Sequence, residues 1–320
     1  MDPAKYKGVF GSAVLSRYPI TGVKFFQLHN QAYDWYDGEK VPLSVLEKAR
    51  RNGAKAVFLE KLFREIKIGG RVFFQVDLYV PDLPEKKLSI VNIHLEIKCK
   101  PKAREAQMAE ILSNIIDLAN PVIVAGDFNS APTDLSPTSI RREVRNLATD
   151  PTFWFDRAVQ MLNPAGIFLS PVHLISNETQ NFQNPMGPSI PVVFPNRVKD
   201  LFKLIQNFRF SDTLSFDFRG NRNRSANGKK GLLANSDQRD RVGFKMTFTT
   251  DRTLAHVLGK YRLDWVFVKS FLGNPKDDGG PYRFAPHFGR TLEGMNDRLK
   301  ERISDHHPNV VDLPFEEPKL

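Results

Sequence analysis

The chain has 320 residues, and its 46 Lys and Arg residues outnumber its 36 Asp and Glu residues, for a formal net charge of +10. Hydrophobic residues make up 41% of the chain and charged residues 26%, a balance that excludes a mainly disordered chain, a collagen-like repeat and a small disulfide scaffold. The positive charge favours an anionic partner, such as nucleic acid, a phospholipid surface or a phosphorylated small molecule.

The sequence shows no cross-linking or targeting feature. Its single cysteine, Cys99, excludes an intramolecular disulfide and a cysteine-rich zinc site. No apolar run approaches the roughly 20 residues that a membrane-spanning helix needs. Residues 1–7 lack the apolar stretch of a signal peptide. We therefore expect a soluble protein, cytoplasmic by default.

The first third of the chain is predicted to consist mainly of strands. Residues 11–17 form a short apolar run before Tyr18-Pro19, which predicts a buried strand. Gly69-Gly70 separates two strand-like runs, which predicts a hairpin. The further elements are, in order, a helix, the two strands of that hairpin and a neighbouring strand, at residues 42–51, 54–68, 71–80 and 88–95.

The rest of the chain mixes helices with buried strands. A helix is predicted to begin at Pro101, and residues 121–125 form an all-apolar run typical of a strand covered on both faces. Together with the hairpin, this order predicts a mixed-sheet α/β sandwich. One helix face is predicted at Met108, Ile111, Leu112, Ile115 and Ile116. Later helices are predicted at about 153–162 and 197–207, and later strands at 263–268 and 303–313.

Residues 219–245 are strongly basic, with eight Lys or Arg residues against two Asp residues. Gly, Asn and Ser interrupt the segment, which predicts an exposed loop. The loop either is solvated without a partner or follows the phosphates of a substrate. In the second case its substrate-binding residues would include Arg222, Arg224, Lys229 and Lys230.

Two motifs place polar residues next to predicted strands. The turn after residues 121–125 projects Asp127 and Asn129, which either bind a phosphoryl oxygen and orient a water or simply cap the turn. In the motif at 304–308, Asp305 is a hard oxygen ligand suited to Mg²⁺ or Mn²⁺. His306 in the same motif is a suitable base near neutral pH.

Two further strands contain isolated polar residues. Asp264 lies in an otherwise apolar strand, where a carboxylate is costly unless it is paired. It is predicted either to orient a histidine, as the aspartate of a catalytic triad does, or to act as a structural cap. Strand alternation places Asn92 and His94 on one face, although an isolated strand histidine is more often structural.

These motifs together resemble one family. Their order along residues 11–313 resembles that of the endonuclease/exonuclease/phosphatase superfamily, the DNase I-like group of divalent-metal phosphoesterases. Arg104 and Gln107, on the helix after His94, also fit its pattern. The matching segments are 11–20 (GSAVLSRYPI), 92–95 (NIHL), 126–129 (GDFN), 263–265 (LDW) and 304–308 (SDHHP).

The resemblance implies one domain over residues 1–320, a four-layered sandwich of two packed mixed β-sheets flanked by helices. It also implies that Asp264 orients His306 to activate the attacking water or carry an equivalent proton. Asp127 would transfer a proton or position the water, and His94 would contact the phosphate or assist the leaving group.

The resemblance further implies a phosphate- and metal-binding set. Asn129 would hold the phosphate and nucleophile, Asn92 would line the substrate site, and Asp305 would bind Mg²⁺ or Mn²⁺. Family members normally begin with a strand bearing an Asn and a second strand ending in a metal-binding Glu. Because the matching segment starts at Gly11, we expect an N-terminally incomplete chain that lacks this Glu. The incomplete sheet would expose an apolar edge and favour self-association.

The leading functional expectation is a divalent-metal-dependent phosphodiester hydrolase, a nuclease in which a His–Asp pair assists in-line attack by water. The first alternative is a phospholipid or inositol-phosphate phosphoesterase of the same superfamily. The second is a catalytically inactive member that binds nucleic acid or protein, since the Glu ligand is missing.

Overall fold

The structure is a computed structural model, and its described residues are 11–30, 71–97, 99, 101–130, 198–216, 247–254, 258–269, 287–292, 294–297 and 304–313, with 45, 49 and 315. The predicted elements at 54–68 and 153–162 and most of that at 42–51 lie outside them. The predicted substrate-binding residues Arg222, Arg224, Lys229 and Lys230 also lie outside them.

The described elements are mainly strands, with three α-helices between them. They are, in chain order, β1 (Ile20–Gln27), β2 (Val72–Tyr79), β3 (Lys87–His94), α1 (Pro101–Ile115), β4 (Val122–Asp127), α2 (Lys199–Asn207), β5 (Phe248–Leu254), β6 (Leu258–Tyr261), β7 (Asp264–Lys269), β8 (His287–Thr291), α3 (Gly294–Asp297) and β9 (Asn309–Asp312). A short 3₁₀ helix, Pro84–Lys86, lies between β2 and β3. No helix among these residues is long and apolar enough to cross a membrane.

The main sheet has five strands in the order β1-β2-β3-β4-β7. β3 and β4 are parallel and are connected through α1, whereas the other neighbouring strands are antiparallel. This mixed sheet confirms the predicted α/β class. Elsewhere in the described chain, β5 pairs with β6 and β8 with β9 as two separate antiparallel pairs.

Both faces of the main sheet are apolar, because successive side chains of its inner strands point alternately to two buried sides. α1 and α2 cover one side, where the Phe202 ring lies 4.9 Å from the Trp265 ring. The predicted α1 face is buried except for Ile116, which follows the last helical residue and is exposed. The other side is built on Phe74, Val76, Leu78, Leu88 and Val268, with Val14, Leu313 and Phe315 packed against it.

Two strand predictions were wrong. Residues 11–17 form no strand, and Leu15 is 98% exposed. A local turn explains this, because the Ser16 hydroxyl bonds both the N–H and the carbonyl of Tyr18 before Pro19 begins the approach to β1. Of the strand predicted at 303–313, only β9 is present, because residues 304–308 form a loop ending in Pro308.

β1 lies at one edge of the main sheet. Both edges of β2 are paired, with β1 and β3, whereas β1 pairs only with β2 among the described residues. Val23 and Phe25 on β1 are 49% and 74% exposed. Such an edge can accept another strand, and self-association through it stays a prediction.

Candidate functional site

Three polar residues form a row across adjacent strands of the main sheet. In the strand register, His94 at the end of β3 pairs with Asp127 at the end of β4, and Asp127 pairs with Asp264 at the start of β7. Residues in such register lie about 5 Å apart on one face. Val91, Ile93 and Val124 point to the α1 side. Alternation therefore places the three polar residues on the opposite face, at one end of the sheet.

Gly126 allows β4 to approach β3 next to this row. Its φ is +144°, and a Cβ built there would lie 1.9 Å from the carbonyl oxygen of Ile93. That separation is far below any allowed contact, and the conformation is one that side chains rarely adopt. The glycine is therefore required by both space and backbone geometry where Asp127 enters the site.

Asn129 closes the turn after β4. Its backbone N–H donates to Asp127 Oδ1 at 2.8 Å, and its side-chain Nδ2 donates to the Leu95 carbonyl at 2.9 Å. Its φ of 41° lies in the left-handed region, which Asn tolerates better than most residues. The GDFN segment thus forms a turn that fixes one oxygen of Asp127.

His306 reaches the row from the loop before β9. Its Nδ1 lies 2.7 Å from Asp264 Oδ2, and its side chain is 24% exposed. Phe248 holds the loop through a backbone bridge and a ring contact to His306 at 5.2 Å. The Thr247 hydroxyl accepts the N–H groups of Leu263 and Asp264 at 3.0 and 3.2 Å. Residues 247–248 therefore fix both members of the His306–Asp264 pair.

The surroundings of His306 and Asp127 give these two groups different pKa values, both above the usual ones. Burial would lower the pKa of His306, but the hydrogen bond and charge of Asp264, with Asp127 and Asp305, outweigh it and raise that pKa to about 9. Burial raises the pKa of Asp127, and the charge of Asp264 adds to this, giving about 7 despite the opposing effect of His306. A pair of groups with separated pKa values can act as acid and base.

The structure places the other predicted residues around this pair. His94 Nε2 lies 3.4 Å from Asp127 Oδ2. Asn92 is on the same face as His94 and donates from Nδ2 to the Ala13 carbonyl at 3.2 Å. Asp305 is exposed beside His306, whereas His307 is buried, with its N–H donating to the Thr247 carbonyl.

A metal site is not complete within the described chain. No three His, Cys, Asp or Glu side chains of the described residues form a group that could hold an ion. Asp264 is already bonded to His306, and one oxygen of Asp127 accepts the Asn129 N–H. The described residues therefore do not fit a metal ion by themselves.

Several supporting residues had no signal in the sequence. Thr247 and Phe248 contact the Asp264–His306 pair across 17 and 58 residues of chain respectively. Arg71, just before β2, forms a buried ion pair with Glu96 at 3.2 Å, and its charge also acts on Asp127. Each of these contacts depends on tertiary structure, so no local motif marks the residues.

The fold and the site define the class of protein: an α/β protein with a hydrogen-bonded His–Asp pair at one end of a mixed sheet. The sequence model of the Endonuclease/Exonuclease/phosphatase family matches residues 3–306. The chain therefore belongs to this family, whose members are hydrolases that act on phosphoester bonds and typically use divalent metal ions. None of the curated proteins matches the chain.

Solved structures that resemble the chain are distant. An endonuclease/exonuclease/phosphatase from Beutenbergia cavernae is 14% identical, with a TM-score of 0.38 over 94% of this chain and 46% of its own. A family protein from Leptotrichia buccalis is 12% identical, with a TM-score of 0.35 over 94% and 64%. An AP endonuclease from Archaeoglobus fulgidus is 12% identical, with a TM-score of 0.33 over 75% and 64%. The chain thus spans about half to two-thirds of the length of these structures.

Proposed function

We propose that the protein is a phosphodiester hydrolase of the nuclease type. The observation that carries the proposal is the hydrogen bond of 2.7 Å between His306 Nδ1 and Asp264 Oδ2, in register with Asp127 and His94. An imidazole held by one carboxylate beside a second carboxylate of raised pKa is suited to moving protons around a phosphoester.

The protonation states suggest how the residues share the reaction. Asp127, in its ionised form, accepts a proton from water while the water oxygen bonds to phosphorus. The bond between phosphorus and the leaving oxygen breaks, and that oxygen takes a proton from the imidazolium of His306. Asp264 stabilises the imidazolium before transfer, and His94, next to Asp127 Oδ2, contacts the phosphate or leaving group.

Charge favours nucleic acid as the substrate. The net charge is +10, and the basic segment 219–245 contributes an excess of six positive charges. Positively charged side chains bind the successive phosphates of a nucleic acid. Our candidates for these phosphate contacts are Arg222, Arg224, Lys229 and Lys230. Asn92, on the same face as His94, lines the proposed substrate site. A phospholipid or inositol phosphate would be attacked by the same chemistry.

The proposal is tested with a panel of phosphoesters. Purified protein is incubated with plasmid DNA, RNA, an inositol phosphate, phospholipid vesicles and a phosphomonoester, each with Mg²⁺, Mn²⁺ or EDTA. We expect cleavage of nucleic acid and its loss in His306→Ala. The EDTA samples test separately whether cleavage also needs a divalent ion, for which Asp305 is our proposed ligand. The matched control is His29→Ala, because His29 also forms a carboxylate pair, with Glu110 at 2.7 Å on the α1 side.

Each result of the panel leads to a different conclusion. Cleavage that persists in His306→Ala rejects the proposed site. Cleavage confined to inositol phosphate or phospholipid supports the proposed mechanism but rejects nucleic acid as the substrate. No cleavage of any substrate favours the inactive binding member.

The pH dependence of hydrolysis provides a second test. Activity needs ionised Asp127, with a pKa of about 7, and protonated His306, with a pKa of about 9. We therefore expect kcat/KM to rise with pH through about 7, peak near about 8 and fall through about 9. The profile is measured at constant ionic strength, with circular dichroism to confirm folding at each pH. A rate that keeps increasing above about pH 10 would contradict the acid role of His306.

A further inference from the structure

The amide side chain of Asn129 is used inside the protein. The residue is only 2% exposed, and its Nδ2 donates to the Leu95 carbonyl at 2.9 Å. Its backbone, with φ of 41°, turns the chain back so that its N–H donates to Asp127 Oδ1. Asn129 therefore binds two neighbouring elements, the end of β3 and the end of β4.

Leu95, the residue after His94, is held through both of its backbone polar groups. Its N–H donates to the Asp127 carbonyl at 2.9 Å, and its carbonyl accepts the Asn129 amide. Peptide units are planar and nearly rigid. These two bonds therefore fix the backbone directly after His94 relative to Asp127.

We propose that Asn129 is a positioning residue whose amide holds the Leu95 carbonyl and so keeps His94 opposite Asp127. The inference rests on the proposed function, because it assigns Asn129 a part in the same site. The two carboxylate oxygens of Asp127 have different partners. Oδ1 accepts the Asn129 N–H, and Oδ2 faces His94 Nε2 at 3.4 Å. One residue thus orients both members of the pair.

This role differs from the phosphate-binding role that the family resemblance implies. A phosphate ligand presents a donor to the substrate, whereas the Asn129 amide already donates to a carbonyl in a nearly inaccessible position. Loss of a phosphate ligand weakens ground-state binding. Loss of a positioning residue lowers kcat through misplaced catalytic groups, with little change in binding.

The first experiment follows the His94 ring by NMR and needs no activity. Asn129→Gly removes the amide and suits a φ of 41°. The chain has seven histidines, and the His94 signal is assigned by its absence in His94→Gln. We expect the His94 ring resonances to shift in Asn129→Gly. If this variant does not fold, Asn129→Asp keeps the size and backbone preference while removing the donor.

The matched control is Asn120→Ala. Asn120 is also buried, and its Nδ2 donates to the Pro121 carbonyl at 2.8 Å and to the Ser89 hydroxyl at 3.0 Å, but it precedes β4 at the opposite end of the sheet. We expect this variant to lose both of these buried hydrogen bonds without shifting the His94 signal. An unshifted His94 signal in the Asn129 variants would overturn the proposal.

The second experiment separates positioning from phosphate binding. On a substrate that the wild type cleaves, we expect Asn129→Gly to lower kcat about 10- to 100-fold, with KM and the Kd of inorganic phosphate within about twofold. Adding it to His94→Gln should cause little further loss, because both changes disturb the same contact. Tenfold weaker phosphate binding with unchanged kcat would overturn the inference. If the wild type cleaves nothing, the proposed function fails, while the NMR result still decides the positioning role.

Discussion

Asp264→Asn is expected to lower kcat by about 10³- to 10⁴-fold while the protein stays folded. The Asp264 carboxylate lies 2.7 Å from His306 Nδ1 and is the main group that raises the pKa of His306 to about 9 against the effect of burial. An amide of the same size removes the charge and favours the other imidazole tautomer. His306 would then be neutral near pH 7 and unable to give its proton to the leaving oxygen.

The matched control for this prediction is Asp77→Asn. Asp77, on β2 of the same sheet, is also a partly buried aspartate, and its carboxylate accepts bonds from Ser89 and Gln75. Burial would raise the pKa of Asp77, but these bonds and Lys87 lower it overall. We expect this variant to lose stability and keep kcat. NMR titration should show a lowered His306 pKa only in Asp264→Asn. Full activity with an unchanged His306 pKa in that variant would contradict the proposed pair.

Local patterns in the sequence were sufficient to locate the polar ends of the strands. Alternation placed Asn92 and His94 on one face, and the cost of an unpaired carboxylate predicted a partner for Asp264. The structure places Asn92 and His94 on that face and His306 at the Asp264 carboxylate. These inferences needed only the two-residue alternation of side chains along a strand and the cost of burying the Asp264 carboxylate without a partner.

The remaining features depend on contacts distant in sequence. Asp127 lies beside Asp264 because of the register between β4 and β7, and their mutual repulsion helps to raise the pKa of Asp127. Thr247 caps the start of β7 from 17 residues away. Conversely, the apolar residues at 11–17 predicted a strand, but apolar character does not specify a hydrogen-bonding partner. Local sequence patterns therefore do not identify which strand or side chain a given residue will pair with.

Gly126→Ala is expected to destabilise the protein by about 3 kcal/mol and to abolish hydrolysis. The new methyl group would lie 1.9 Å from the Ile93 carbonyl oxygen, on a backbone with φ of +144°. Because this oxygen belongs to β3, the clash can be relieved only by separating β3 from β4. That movement would also separate His94 from Asp127, which is why a change outside the proposed acid–base groups should remove activity.

Gly22→Ala is the matched control for this clash. It places the same methyl group on β1 of the same sheet, where the nearest atom, Asp77 Oδ2, lies at an ordinary contact distance of 3.6 Å. Urea unfolding of both variants compares their free energies of unfolding, and we expect Gly22→Ala to change stability by less than about 1 kcal/mol. Equal stability of the two variants would show that β3 and β4 tolerate a side chain at residue 126. The close approach of these strands would then not be what fixes His94 against Asp127.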